Sequence, residues 1–260
     1  MSSFHTSSSV SLKIADSVAT VTIAREHGNA INDDVLIGLD EAFRCAREDP
    51  TVRGLLLRAK GKIFCPGLDL QEMIELERYE VAGFMQRFTA CLTGLYRFDK
   101  PVVAAISGHA LAGGCLLALT ADCRVLQRDK MMGLNEARAG LPIPFGMSNL
   151  LRDVVPPARI EEVALLGRNY RNQDAVDVGF AHEICDEADF EQVCRERLKE
   201  MGDKEMAAFA ATKRYIRWRT VERIERWDPV FAEEFLDCWF SDGTRERMQA
   251  LVGKLKERSR

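Results

Sequence analysis

The 260-residue chain is 47% hydrophobic and 29% charged, enough apolar material for one sizeable core with an appendage and too much for disorder outside its ends. A formal net charge of -4 and a pI near 5.7 give no electrostatic footprint for nucleic acid, although a local basic patch could still hold a phosphorylated small molecule. Eight cysteines lie scattered without a C-x-x-C pair or a His/Cys cluster. That pattern argues against a metal site and for free, mostly buried thiols in a reducing, cytoplasmic compartment.

The first ten residues, MSSFHTSSSV, show no basic region followed by an apolar one and no arginines, so they read as a frayed Ser-rich tail and not as a targeting segment. Two β-rich runs follow at residues 10–16 and 18–25. Residues 33–47 have helical spacing through Leu36, Leu39, Phe43, Cys45 and Ala46, with Asn32 or Asp33 as the cap. A strand is expected at 52–57. Residues 80–96 place Val81, Phe84, Met85, Phe88, Cys91, Leu92 and Leu95 on one broad helical face. Residues 101–121 are uncharged and long enough to resemble a membrane span, for which about 18 apolar residues suffice. Pro101, Ser107, Gly108, His109, Gly113 and Gly114 instead divide them into a buried strand at 102–106, a turn, and a buried helix, so no membrane span is expected. Another strand is expected at 123–126. After Pro144 the chain turns helical, with one helix over 206–226 and another over 229–255. The change of pattern near residue 200 divides a core of residues 1–200 from a helical region of residues 201–260 without a flexible linker or repeat.

Three segments carry the chemistry. FCPGLDLQEM (Phe64 to Met73) and AGGCLLALTADCRV (Ala112 to Val125) each place glycine at a bend between a β-branched run and an amphipathic stretch. Such turns leave backbone N–H groups at a helix N-terminus free for an oxygen anion, and two of them can form one oxyanion hole. Glu136, inside GLNEARAGLPIP, lies between apolar neighbours and just before a Gly/Pro-rich turn, which makes it the acid/base candidate. A water-poor pocket there would raise its pKa. Asp69 is suited to brace the first turn through nearby N–H groups, His109 to be held by backbone hydrogen bonds, and Cys115 to pack as a small apolar group.

These segments, with Asn29-Ala30, ISGHALAGGCLLALTADCRV, GLNE and the tail of Ser241, Asp242 and a charged last helix, resemble the crotonase superfamily, the enoyl-CoA hydratase/isomerase group. Within it they are most similar to the 3,2-trans-enoyl-CoA isomerases of mitochondria. The resemblance implies an α/β fold, a spiral of β-β-α units with a C-terminal helical region that makes a homotrimer or a dimer of trimers. It implies an acyl-CoA thioester as ligand, an enolate intermediate of fatty acid metabolism, and coenzyme A as part of the substrate with no metal or other cofactor. Leu68 and Gly113 would then supply the oxyanion N–H groups, with Gly67 and Gly114 shaping the turns. Pro66, which has no N–H to give, departs from the small residue usual there. Ala30, Asp69, Leu116 and Met73 would adjoin the substrate, and Arg25, Lys60, Lys62 and Lys213 are candidate partners of the coenzyme phosphates. Leu76, Phe84, Met85 and Phe88 either line an acyl pocket or pack as core.

Leu116 stands where hydratases of the superfamily carry a first glutamate, three residues beyond the oxyanion glycine. A lone carboxylate suits proton transfer between two carbons better than water addition, so the resemblance implies a 3-enoyl-CoA isomerase. The alternatives are a hydratase, hydrolase or decarboxylase that draws a second acid from Glu72 or Glu75, and a non-catalytic acyl-CoA or RNA binder. The apolar Trp218, Phe231, Phe235 and Trp239 in the last helices are expected to need a partner copy to cover them.

Overall fold

Strands bury their β-branched faces only when stacked with others, and here they do so in two sheets. The computed structural model describes residues 2–26 and 28–258. It opens with an antiparallel meander of β1 (Ser2–His5), β2 (Val10–Ala15) and β3 (Val18–Ile23). The Ser-rich start is therefore a paired strand and not a frayed tail. The turn that follows β1 is tied down by Asp34, whose carboxylate accepts from Ser7 Oγ (3.2 Å), Ser8 Oγ (2.9 Å) and the Ser9 N–H (3.0 Å). Asp34 belongs to α1 (Asp33–Glu48), whose N-cap Asn32 accepts from the Val35 N–H at 3.1 Å.

Three β-β-α units follow. The first contains β4 (Gly54–Ala59), β5 (Ile63–Cys65), the short α2 (Leu70–Met73) and α3 (Arg78–Tyr96). Next come β6 (Val102–Ile106), β7 (His109–Leu111) and α4 (Gly113–Leu119), then β8 (Cys123–Gln127), β9 (Met131–Gly133) and α5 (Glu136–Ala139). Helices α6 (Phe145–Val154) and α7 (Ile160–Leu165) lead to β10 (Asn169–Arg171), α8 (Asn172–Asp177), β11 (Glu183–Cys185) and α9 (Phe190–Gly202). In each unit the first strand joins a seven-stranded sheet, ordered β1-β2-β3-β4-β6-β8-β11, and the second joins a four-stranded sheet, ordered β10-β9-β7-β5. The spiral expected from the resemblance is thus present.

The uncharged run at 101–121 is explained by burial on both faces, since every residue of β6 and of α4 is buried. No helix among the described residues is long and apolar enough to cross a membrane. Of the eight cysteines, Cys65, Cys91, Cys115, Cys185 and Cys194 are buried and the other three half-buried.

The C-terminal helices correct two expectations. Pro229 was expected to open a new helix, yet α10 (Met206–Trp239) runs straight through it. An interior proline costs a helix about 3 kcal/mol, but core contacts grip the chain on both sides, with Ile224 before Pro229 and Phe235, Leu236 and Trp239 after it. The break comes instead at Phe240 and Ser241, after which α11 (Asp242–Arg258) doubles back over α5 and α2. Secondly, Phe235 and Trp239 are buried within their own chain and need no partner copy; Trp218 and Phe231 do remain exposed. Near its start α10 is pinned by Asp122, which meets Lys213 Nζ at 2.6 Å and Arg217 at 2.9 Å.

Candidate active site

The three segments singled out in the sequence stand at the carboxyl ends of three neighbouring strands. β5, β7 and β9 pair in parallel, with Cys65 opposite Ala110 and Leu111 opposite Gly133. Each strand therefore delivers its next residues to the same edge: Gly67 and Leu68 after β5, Gly113 after β7, and Glu136 after β9. A crevice beyond the carboxyl ends of parallel strands is where α/β folds bind ligands.

The turns meet closely. Gly67 has φ +108°, a backbone that favours glycine, and a Cβ there would lie 2.9 Å from Ala112 Cβ and 3.2 Å from the Gly113 nitrogen. A Cβ on Gly114 would sit 2.1 Å from the Cys65 carbonyl oxygen. The first turn is also gripped from outside. The Ile31 N–H donates to the Gly67 carbonyl (2.8 Å) and the Asp69 N–H donates to the Ile31 carbonyl (2.9 Å). In that parallel bridge the residue between, Leu68, turns its own N–H to the opposite edge. On the other turn Ala112 adopts φ 46°, ψ -126°, unusual for a residue with a side chain and worth about 1–3 kcal/mol of strain. Gly113 follows as the first residue of α4, where a helix leaves its N–H unpaired.

The sequence profile of the family described as Enoyl-CoA hydratase/isomerase matches residues 13–256. The chain belongs to this family. Among crotonase relatives, the carnitinyl-CoA dehydratase of Escherichia coli K12 is 31% identical over 212 residues, which is 81% of each chain. A solved structure of a probable enoyl-CoA hydratase from Mycobacterium tuberculosis H37Rv superimposes with a TM-score of 0.83 at 25% identity, covering 87% of this chain and 96% of that one. A second structure of the same mycobacterial protein, described as an enoyl-CoA isomerase, gives 0.82. The enoyl-CoA hydratase of Bacillus halodurans, at 21% identity, matches in fold with a TM-score of 0.86 over 94% of this chain and 100% of its own. The chain is accordingly a crotonase-type enzyme of the enoyl-CoA hydratase/isomerase family.

Within this crotonase site Glu136 is 9% exposed, and its Oε2 is buried without a hydrogen-bond partner. Burial raises its pKa from 4.5 to about 7, opposed only by its own backbone N–H. Cys115, fully buried, lies close enough for the Glu136 charge to add to burial in pushing its thiol up. It is a packing neighbour. His109 accepts from the Met131 N–H at 3.1 Å through Nδ1, tying β7 to the start of β9.

Asp69 caps α2 by accepting from the N–H groups of Gln71 (3.0 Å) and Glu72 (3.3 Å). Arg25 is drawn inward to this carboxylate at 2.6 Å, to Glu72 at 2.5 Å and to the Ala30 carbonyl at 3.2 Å. Its guanidinium is spent on these partners, so it braces the loop of Ala30 against the first turn instead of offering a free cation to phosphate. Asp69→Ala should therefore cost about 2 kcal/mol in urea unfolding, because it uncaps α2 and leaves the buried guanidinium with only the more exposed Glu72 carboxylate and the Ala30 carbonyl; a change under about 0.5 kcal/mol would show that the turn does not depend on the pair. Lys213 also departs from its expected role: it is buried against Asp122. Lys60 and Lys62 are exposed on the loop between β4 and β5, and Asn29 Nδ2 donates to the Lys60 and Ile63 carbonyls, joining that loop to Ala30. Glu72 is half exposed and paired with Arg25, and Glu75 is exposed, so neither is a second buried acid.

Of the acyl-pocket candidates, Met73 and Phe84 are core and Leu76 is half-buried against it. Phe88 places its ring 3.3 Å from where a Cβ of Gly113 would be. Met85, one turn earlier on α3, lines a cleft of about 470 Å³ with Thr89, Phe145, Asp228, Phe231 and Phe235. Sequence reasoning missed Asp228, the Ile31 clamp, the strained Ala112, and Thr244 of α11, whose hydroxyl donates to the Gly140 carbonyl just after α5 at 3.0 Å. None of them forms a period or a motif. Each acts through a contact distant in sequence.

Proposed function

We propose that the enzyme moves the double bond of a 3-enoyl-CoA to the 2-position. Glu136 removes a proton from the α-carbon, the electrons of that C–H bond pass into the thioester carbonyl, and the resulting dienolate oxygen is met by the N–H groups of Leu68 and Gly113. The protonated Glu136 then returns the proton to the γ-carbon. No electrons are gained or lost, so the reaction needs no redox cofactor; the two N–H groups carry the developing charge in this reading, and coenzyme A enters as part of the substrate. The observation that carries this reading is a buried carboxylate beside the turns that is not tied up in holding them, as Asp69 is by Arg25 and the Gln71 and Glu72 N–H groups. Glu136 has an unpartnered oxygen, and α4, GGCLLAL, contains no acid on the turn that follows Gly113. A pKa near 7 suits a group that must take up and give back a proton at neutral pH.

Hydration or dehydration is the second reading, favoured by the names of several relatives. Incubation with 3-enoyl-CoA and with 2-enoyl-CoA separates the two: double-bond migration without water addition supports the isomerase, and efficient hydration by the unmodified enzyme removes it. Leu116→Glu tests the same point from the other side. It should give detectable hydration of 2-enoyl-CoA while slowing isomerisation, because a carboxylate placed in a site shaped for leucine lacks supporting groups and misplacement by about 1 Å costs on the order of a hundredfold.

We further infer assembly as a homotrimer or a dimer of trimers. α10 leaves Tyr215, Ile216, Trp218, Trp227 and Val230 exposed, more large apolar surface than one helix ordinarily shows to water. Light scattering at micromolar concentration should give three or six chains, and a monomer would refute the assembly.

A further inference from the structure

Among the described residues no other side chain bonds to the carboxylate of Glu136, so its place is inherited from the backbone that carries it. That backbone, α5, is one turn of four residues with no side-chain cap at Asn135. A helix so short does not hold itself in water. It ends in a Schellman motif, in which Gly140 takes φ +84°, its N–H donates to the Ala137 carbonyl (3.2 Å) and the Leu141 N–H donates to the Glu136 carbonyl (3.1 Å). These bonds close the turn on itself but do not fix where it points. Among the described residues, the one hydrogen bond that reaches residues 136–141 from a distant part of the chain is the one that the Thr244 hydroxyl donates to the Gly140 carbonyl, at 3.0 Å. The approach is close enough to require glycine, since a Cβ on Gly140 would lie 2.7 Å from Thr244 Oγ1.

Thr244 is itself firmly seated. α11 lies over both α5 and α2, and Thr244, Met248 and Val252, four residues apart, are all buried on one face of it. The Thr244 and Arg245 N–H groups donate to the Ser241 carbonyl at 3.1 and 2.9 Å, which fixes the start of the helix. The anchoring of α11 therefore rests on its backbone and its apolar side chains, and the hydroxyl is left to serve Gly140. We propose that Thr244 is the positioning residue of the acid/base, acting through the Gly140 carbonyl to set where α5 presents Glu136. This rests on the reading that Glu136 is the acid/base at an acyl-CoA site, and it adds the last helix of the chain to that site. Without the hydroxyl the Gly140 carbonyl loses its partner and the turn is free to shift, and misplacement of a catalytic group by about 1 Å costs on the order of a hundredfold. The Leu68 turn is held separately by the Ile31 bridge, so ligand binding should be spared.

The test measures kcat on whichever of 3-enoyl-CoA and 2-enoyl-CoA the enzyme converts, the pH midpoint of kcat, and the affinity for saturated octanoyl-CoA by calorimetric titration. Thr244→Val keeps the shape without the donor and should lower kcat at least about tenfold while affinity stays within about threefold. Thr244→Ser keeps the donor and should stay within about threefold of wild type in both. The pH midpoint separates positioning from support of the fold. Burial alone raises Glu136 to about 7, no charge on α4, α11 or another neighbouring element acts on it, and burial keeps the facing Cys115 thiol neutral. A turn that shifts toward water should therefore move the midpoint of Thr244→Val to lower pH by about half a unit or more, and leave that of Thr244→Ser in place. Thr244→Ala removes the hydroxyl with a smaller side chain and should repeat the pattern, so the inference does not depend on one variant folding. Turnover within about threefold of wild type in Thr244→Val and Thr244→Ala, an equal loss in Thr244→Ser, or a loss with the midpoint unmoved overturns the inference. If Glu136→Gln is inactive in the same assay, the acid/base reading survives that result; near wild-type turnover in Glu136→Gln overturns both.

Discussion

Glu136→Gln should lower turnover of a 3-enoyl-CoA by about 100- to 10,000-fold, the factor that a positioned general base supplies, while acyl-CoA binding measured by calorimetry persists. The amide has the shape of the carboxylate but cannot accept the proton. In the wild-type enzyme only ionised Glu136 can start the reaction, so kcat should fall as the pH drops below about 7. Stability should move the other way. The folded-state pKa lies above 4.5, so the favourable contribution of the protonated acid is full below about pH 4.5 and is lost as the pH rises through about 7. At pH 8 the wild-type protein holds a buried charge that the glutamine variant lacks. The variant should then be more stable by up to about 3 kcal/mol in denaturant unfolding. Near wild-type turnover in Glu136→Gln would show that another group is the base. A variant that is inactive and also unstable at pH 8 would show that Glu136 helps to hold the fold.

Gly114→Ala should be nearly as damaging by a different route. The added methyl would lie 2.1 Å from the Cys65 carbonyl oxygen and 2.6 Å from Cys65 Cβ. These atoms belong to the backbone and its first side-chain carbon, so no rotamer change can clear them, and α4 must move away from β5. That motion separates the Leu68 and Gly113 N–H groups. A displacement of about 1 Å costs on the order of a hundredfold in turnover, and the strain should remove about 1–3 kcal/mol of stability. The expected pattern is a loss in kcat larger than the change in affinity for a saturated acyl-CoA, because the pair of donors matters most to the charge that develops on the oxygen. Turnover within threefold of wild type would mean that the close approach of the two turns has no catalytic role. Gly94, which has nothing within 4 Å of an added Cβ, is the control site at which alanine should be tolerated.

Local chemistry was legible in the sequence because it acts within a few residues. Asn32 caps α1 because its side chain reaches the Val35 N–H. The period of Val81 to Leu95 makes α3, and the β-branched run at 102–106 makes a strand buried on both faces. The bends at Gly67 and Gly113, the resemblance they carry, and Glu136 between apolar neighbours could be read for the same reason. What remained hidden depends on elements far apart in the chain. The parallel pairing of β5, β7 and β9 brings residues 67, 113 and 136 to one edge, and the Ile31 bridge turns the Leu68 N–H outward. Arg25 and Lys213 look like free cations in the sequence, yet burial carries them to Asp69 and Asp122 because an unpaired charge cannot be tolerated inside. Pro229 looks like a helix break, yet packing on both sides carries α10 past it. Local backbone preference and hydrogen bonding are thus determined by the sequence alone, whereas the partner of each charge and the meeting of the three turns are decided only when tertiary burial makes some contacts affordable and others costly.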